Sequence, residues 1–253
     1  MGTAEVPHVV AVLGRGVVDA DEPVVTADDL GLTRGDGCFD SARVVTDAGG
    51  TGRVVDLDEH LARLASSAEA LAIANPSRGE WRGLVAEALA SWPTPGEAVL
   101  KLVLTRGHPS DALADAPWLL GGTKTLSYVV NVAAAREARR RGADDVIFTT
   151  TDDFALDGPT SGLLVARDGA FLSTPTGGTG ILESITVATI LEAARADGFA
   201  SRYELIPVDD LYRADGVWLV SSGRGPVLVT SLDGRSIHSD EGLVARILRY
   251  ALF

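Results

Sequence analysis

The sequence predicts a two-domain protein of the α/β (α+β) class. Short β-branched runs and stretches of helical periodicity interleave in both halves of the chain, the pattern of sheets and helices packed in layers. Residues 107–122 are rich in Gly, Ala, Asp and Pro, which interrupts regular structure and marks a boundary. A chain of 253 residues with 46% hydrophobic content can bury a substantial core. The expected division is an N-terminal α+β domain over 1–112, an interdomain linker over 113–122 and a C-terminal α/β domain over 123–253.

In chain order, the runs at 9–13 and 17–18 flank Gly14-Arg15-Gly16 and read as a hairpin. Residues 30–37 read as a glycine-punctuated loop leading into a strand at 38–45. The glycines of 47–52 then form a hairpin loop, and 53–55 returns. From Leu57 the period changes: Leu57, Leu61, Leu64, Ala68 and Leu71 recur at helical spacing, with Asp56 or Asp58 as N-cap. A second helix over 78–92 ends against Pro93 and Pro95, and 98–104 is a strand.

Beyond the boundary, an Ala-rich helix is expected over 126–141. Its last turn, Arg139-Arg140-Arg141, complements the macrodipole, and Gly142 closes it. Strands follow at 146–150, 162–166 and 170–173. A loop at 175–180 opens into a helix over 182–196. Strands at 203–208, 217–221 and 227–230 and a helix over 242–251 complete the chain.

The formal net charge of -13 argues against a nucleic-acid or anionic-membrane partner, both of which select clustered cations. A small anionic substrate still fits, because a local arginine pocket can oppose the global sign. Cys38 is the single cysteine, so no intrachain disulfide forms, which suits a reducing cytoplasm. The N-terminus lacks the basic and apolar regions of a secretory signal, and no apolar run reaches the length of a spanning helix. His8, His60, His108 and His238 lack ligand spacing, so no metal site is expected. No Gly-x-Ser-x-Gly elbow is present.

The chain holds 22 Lys plus Arg, and only Lys101 and Lys124 are lysines. An amine, unlike a guanidinium, can release its proton and form a Schiff base. Lys101 sits mid-strand, whereas Lys124 follows the linker in Gly121-Gly122-Thr123-Lys124-Thr125-Leu126-Ser127-Tyr128. Three small-residue stretches accompany it. The Gly177-Gly178-Thr179-Gly180 loop before a helix offers free backbone N–H groups to an anion. Asp157-Gly158-Pro159-Thr160-Ser161 sets a carboxylate in a tight turn, and Ser221-Ser222-Gly223-Arg224-Gly225-Pro226 lies at a strand end.

Taken together, Arg34-Gly35-Asp36-Gly37-Cys38-Phe39, His60-Leu61-Ala62-Arg63-Leu64, Thr105-Arg106-Gly107, Lys124-Thr125-Leu126-Ser127-Tyr128, Asp157-Gly158-Pro159-Thr160-Ser161 and Gly180-Ile181-Leu182 resemble the class IV aminotransferase superfamily. These are fold type IV pyridoxal-phosphate enzymes with a D-amino-acid aminotransferase-like, two-domain fold. Gly35-Asp36-Gly37-Cys38-Phe39 with Ser41-Ala42-Arg43-Val44 looks most like 4-amino-4-deoxychorismate lyase, of the folate precursor pathway.

The resemblance implies that Lys124 carries pyridoxal 5′-phosphate and acts as general acid and base. It implies that Arg63, the N–H groups of Ile181 and Leu182, and Ser222 with Gly223 hold the phosphate. Tyr128 would lie near the 3-oxygen and Asp157 at the pyridine nitrogen. Arg106, from the family, and Arg224 would meet the substrate's carboxylates, and the active form would be a cytoplasmic homodimer. An aminotransferase acting on branched-chain or D-amino acids is the alternative, and a non-catalytic paralogue is a third. Three departures stand out: Asp157 replaces a Glu, Gly162 replaces an Asn, and Leu182-Glu183 stands where the family has Thr-Arg, removing a hydroxyl donor.

Overall fold

The computed structural model describes residues 7–92, 94–107 and 122–252. They form two compact units. The first holds the described residues up to 107 together with Lys124–Ser127; the second holds Gly122, Thr123 and the chain from Tyr128 onward. The linker expected over 113–122 lies outside the described residues, Gly122 excepted.

The first unit opens with the hairpin β1 (Val10–Val12) and β2 (Gly16–Val18). The stretch expected as a loop at 30–37 contains a short helix, α1 (Leu30–Arg34). Asp29 accepts the Gly31 N–H at its start, and Gly35 closes it at φ 70°, a left-handed turn that glycine adopts without penalty. Strands β3 (Gly37–Thr46), β4 (Gly52–Val54) and β5 (Gly96–Thr105) pair antiparallel in the order β4-β3-β5. Helix α2 (Leu57–Ala70) packs on β3. Asp56 precedes it but makes no side-chain cap bond. Helix α3 (Arg78–Ala90) starts with a capping box between Ser77 and Glu80.

Alternation along β3 sends Cys38, Asp40, Ala42 and Val44 inward, where Leu61, Leu64 and Ala68 of α2 are buried. Asp40 thus sits on an otherwise apolar face, and its charge demands a partner.

The second unit begins with α4 (Val129–Arg140), three residues later than expected, because Leu126 and Ser127 bond to the first unit instead. A strand expected at 146–150 is reduced to a single bridge from Thr149 to Ala155. The central sheet runs β12-β11-β7-β8-β9, with β7 (Gly162–Arg167), β8 (Ala170–Ser173), β9 (Ala200–Tyr203), β11 (Gly216–Ser221) and β12 (Gly225–Leu228). Only β8 and β9 pair in parallel, and α5 (Ile185–Ala196) crosses over to join them.

Both faces of this sheet are covered. Leu164, Ala166, Phe171, Trp218 and Val220 pack against α5 and α7 (Glu241–Tyr250). Leu163, Val165, Leu172, Val217 and Leu219 pack on the other side with Ala155, Ile206 and Leu211. Strands buried on two faces read as unbroken apolar runs, and β7 and β11 do.

The strand expected over 203–208 divides. Tyr203 ends β9, then β10 (Ile206–Pro207) pairs with β6 (Phe154–Ala155), and α6 (Val208–Leu211) follows. Pro207 has no N–H with which to continue a ladder. A last hairpin joins β13 (Ser231–Leu232) and β14 (Arg235–Ser236). Among the described residues no helix is long and apolar enough to cross a membrane.

Candidate active site

In the first unit the site grows from Asp40. The α2 residues His60 and Arg63, three apart on one helix face, both reach its carboxylate. Arg63 donates from Nε to Oδ2 and from Nη2 to Oδ1, each at 2.7 Å. His60 Nδ1 lies 2.8 Å from Oδ1. Asp40 is 0% exposed and His60 1%. Burial alone pushes the Asp40 carboxyl up, but hydrogen bonds from Arg63 and His60 and their charges overcome it and hold the group below the usual carboxylate value. The bidentate pair fixes the plane of the Arg63 guanidinium. The side chain expected to hold a phosphate is therefore oriented before any ligand arrives.

A carboxyl whose folded value is depressed stabilises the fold above its unfolded value and loses that contribution as pH falls through the folded one. Asp40→Asn should therefore cost a constant stability from about pH 7 to pH 5, and the deficit should shrink below about pH 4. Urea unfolding across that range measures it. A deficit that stays constant down to about pH 2.5 would contradict the assignment.

Lys124 lies beside β3. Its carbonyl accepts the Phe39 N–H at 3.1 Å, the Leu126 N–H donates to Gly37 O at 2.8 Å, and Thr125 bridges Cys38. The Lys124 N–H donates to the buried Ser67 hydroxyl of α2 at 3.2 Å. These bonds make 124–127 a short extension of the first unit. This corrects the assignment of Lys124 to the C-terminal domain. Its Nζ stands 4.6 Å from the centre of the Phe39 ring, and Lys101 Nζ stands 4.9 Å from the same ring. The two lysines of the chain converge on one aromatic face-former. Cys38, next to Phe39, is buried, and burial followed by the Asp40 charge raises its thiol to about 11, so it is an inert packing group.

Arg106 departs from its expected role. Its Nε and Nη2 bind Asp36 at 2.7 and 3.2 Å, Nη1 donates to Ala72 O at 3.0 Å, and Nη2 donates to Leu71 O at 2.6 Å. Those bonds use most of the guanidinium's five donors. Arg106 ties the end of β5 to the end of α2 and is not presented to a substrate carboxylate.

In the second unit, Asp157 begins a locked turn. Its carbonyl accepts the Phe148 N–H at 2.8 Å, Gly158 N–H donates to Ser161 O at 2.7 Å, and Asn131 of α4 donates to Pro159 O at 2.7 Å. Arg224 reaches this turn through Nη2, 3.5 Å from Ser161 Oγ, and binds Asp145 at 2.9 Å. Tyr128 is half-buried and heads α4.

Helix α5 starts at Ile185, not at 182. Ser184 caps it, accepting the Val187 N–H at 3.3 Å. The N–H groups that this helix end turns outward are those of Ile185 and Thr186, rather than Ile181 and Leu182, which lie in the coil before it. Thr186 Oγ1 lies 3.0 Å from Ser222 Oγ, beside Gly223 in the exposed turn after β11. Thr186 thus places a hydroxyl at the start of α5. Leu182 contributes its side chain instead. With Gly162, Ile181, Ser184, Val187 and Tyr203, among others, it lines a cavity of about 220 Å³ beside the helix start. The Thr186 and Ser222 hydroxyls and the N–H groups that the start of α5 leaves open fit a phosphate group.

A family model, amino-transferase class IV, matches residues 37–112 and 91–232. A bifunctional aminodeoxychorismate lyase / D-amino acid transaminase of Mycobacterium tuberculosis is 34% identical over 272 residues, 90% of this chain and 92% of its own. Among solved structures, a fold IV-transaminase from Curtobacterium pusillum superposes with a TM-score of 0.85 at 36% identity, covering 95% of this chain and 91% of its own. The PLP-bound form of a hypothetical aminotransferase from Mycobacterium tuberculosis gives 0.86 at 31% identity, covering 96% and 97%.

Proposed function

This chain belongs to the class IV aminotransferase family, whose cofactor is pyridoxal 5′-phosphate, and from that premise we propose that it converts 4-amino-4-deoxychorismate to 4-aminobenzoate and pyruvate. The observation that carries the proposal is the 34% identical relative, matched over nearly its whole length, whose name gives that lyase activity first. The Gly35-Asp36-Gly37-Cys38-Phe39 stretch supports the same choice.

When bound, the cofactor supplies a pyridine ring that acts as an electron sink. The chain supplies the rest. Arg63 of the first unit would supply a cation for the phosphate, and in the second unit the Ile185 and Thr186 N–H groups, the Thr186 and Ser222 hydroxyls and Gly223 would meet it. Asp157 would pair with the pyridine nitrogen and Tyr128 would lie near the 3-oxygen. Lys124 holds the cofactor and then moves protons at Nζ, taking one from the substrate and returning one to the product. With Arg106 engaged by Asp36 and the α2 carbonyls, exposed Lys101, which shares the Phe39 ring with Lys124, is the cation for a substrate carboxylate. Arg224 is held by Asp145 and serves the Asp157 turn.

The same relative's second name favours a second reading, transamination of D-amino acids. The two separate in one assay. Aminodeoxychorismate supplied without any keto acid should yield aminobenzoate and pyruvate in equal amounts. If no aminobenzoate appears while D-alanine and a keto acid exchange their amino group, the lyase reading fails. The active form proposed is a cytoplasmic homodimer. The single buried thiol suits a reducing compartment, and light scattering should give twice the chain mass.

A further inference from the structure

In the second unit, the turn that begins at Asp157 ends in a close contact at Gly162. The locked turn that starts at Asp157 runs directly into β7 at Gly162, whose register is fixed by its pairing with Val220 of β11. A Cβ built on Gly162 would lie 2.8 Å from Ser184 Cβ, 3.1 Å from Ser184 Oγ and 3.1 Å from Val187 Cγ2. Carbon atoms prefer about 3.5–4.0 Å, so β7 and the start of α5 sit roughly 1 Å closer than a residue with a side chain permits. Ser184 is the α5 cap, and the outward N–H groups of Ile185 and Thr186 follow it at once. Gly162 therefore sets how closely the end of the Asp157 turn approaches the cap of α5.

We propose that Gly162 compensates for Asp157. An aspartate carboxylate falls short of a glutamate's by one carbon–carbon bond, about 1.5 Å. The absent Cβ lets the turn and the helix end approach by a similar amount, so a shorter acid still spans from its own backbone to the ring nitrogen of a cofactor whose phosphate sits at Ile185 and Thr186. Gly162 is a positioning residue, acting through Ser184 and through the turn. The inference rests on the pyridoxal-phosphate site proposed above.

A double-mutant cycle of Gly162→Ala and Asp157→Glu tests it. The readouts are the Kd for pyridoxal 5′-phosphate, titrated into each apoprotein by absorbance, and the pH at which the bound cofactor's visible band titrates. Each single variant should weaken binding by about 10-fold or more, and the double variant should recover to within about threefold of wild type. Losses that multiply in the double variant overturn the proposal. Asp157→Glu alone covers the case in which Gly162→Ala does not fold. An Asp157→Glu protein that binds as tightly as wild type also overturns it. If wild type itself takes up no pyridoxal phosphate, the function proposed above fails, which is a separate result from an additive cycle in a wild type that binds.

Discussion

Lys124→Ala should abolish turnover, lowering kcat by about 10⁴-fold or more while leaving the fold intact. The size of the loss follows from the amine's double duty. In the proposed function it both holds the cofactor and carries the proton, and general acid–base groups alone contribute about 10²–10⁴-fold. The fold survives because the bonds that seat this segment belong to the backbone. The carbonyl accepts from Phe39 and the N–H donates to Ser67, and an alanine keeps both. The side chain's contact with the Phe39 ring accounts for about 0.5–1 kcal/mol. Lys124→Arg should be as inactive as Lys124→Ala, since a guanidinium keeps its charge but cannot give up its proton. Lys101→Arg should retain turnover, because a carboxylate needs only a cation there. Steady-state kinetics beside urea unfolding measures both halves. An active Lys124→Arg enzyme would refute the assignment.

Arg63→Met should destabilise the protein by about 3–5 kcal/mol, because it leaves a buried carboxylate with His60 and the Ser41 N–H but no guanidinium. Asp40 is 0% exposed, so water cannot replace the lost guanidinium. Asp40→Asn placed on top of Arg63→Met removes the stranded charge and should recover most of the loss. Affinity for pyridoxal phosphate should behave differently. It falls in Arg63→Met and stays low in the double variant, since neither has a cation for the phosphate. Stability that recovers while affinity does not separates an anchor for the cofactor from a strut of the fold. An Arg63→Met protein within about 1 kcal/mol of wild type would show that Asp40 is not charged in the folded state.

Much of this was legible in the sequence where one period dominates. The spacing of Leu57, Leu61 and Leu64 defines α2, and it carries Arg63 onto the face that meets β3. The apolar runs of β7 and β11 report burial on both faces. Asp40 escapes a reading by motifs, although a carboxylate at an inward position between Cys38 and Ala42 requires partners nearby.

What escaped the sequence depends on tertiary bonds. Residues 126–128 suit a helix locally, but Leu126 donates to Gly37 O and α4 waits until Val129. The glycines of 177–180 suggest a helix start, while the start is set four residues after Gly180 by the Ser184 hydroxyl, with the Ile185-Thr186 pair as the available clue. Arg106 has the residue type for a carboxylate, and only its partners Asp36, Leu71 and Ala72 show that it is already engaged.

The most direct measurement reduces the purified protein with borohydride in the presence of pyridoxal phosphate, cleaves it after arginine and weighs the fragments. The two lysines fall in separate pieces, Lys101 in 83–106 and Lys124 in 107–136. The cofactor's mass should appear on 107–136 alone. A label on 83–106, or on neither piece, would contradict Lys124 as the residue that holds the cofactor.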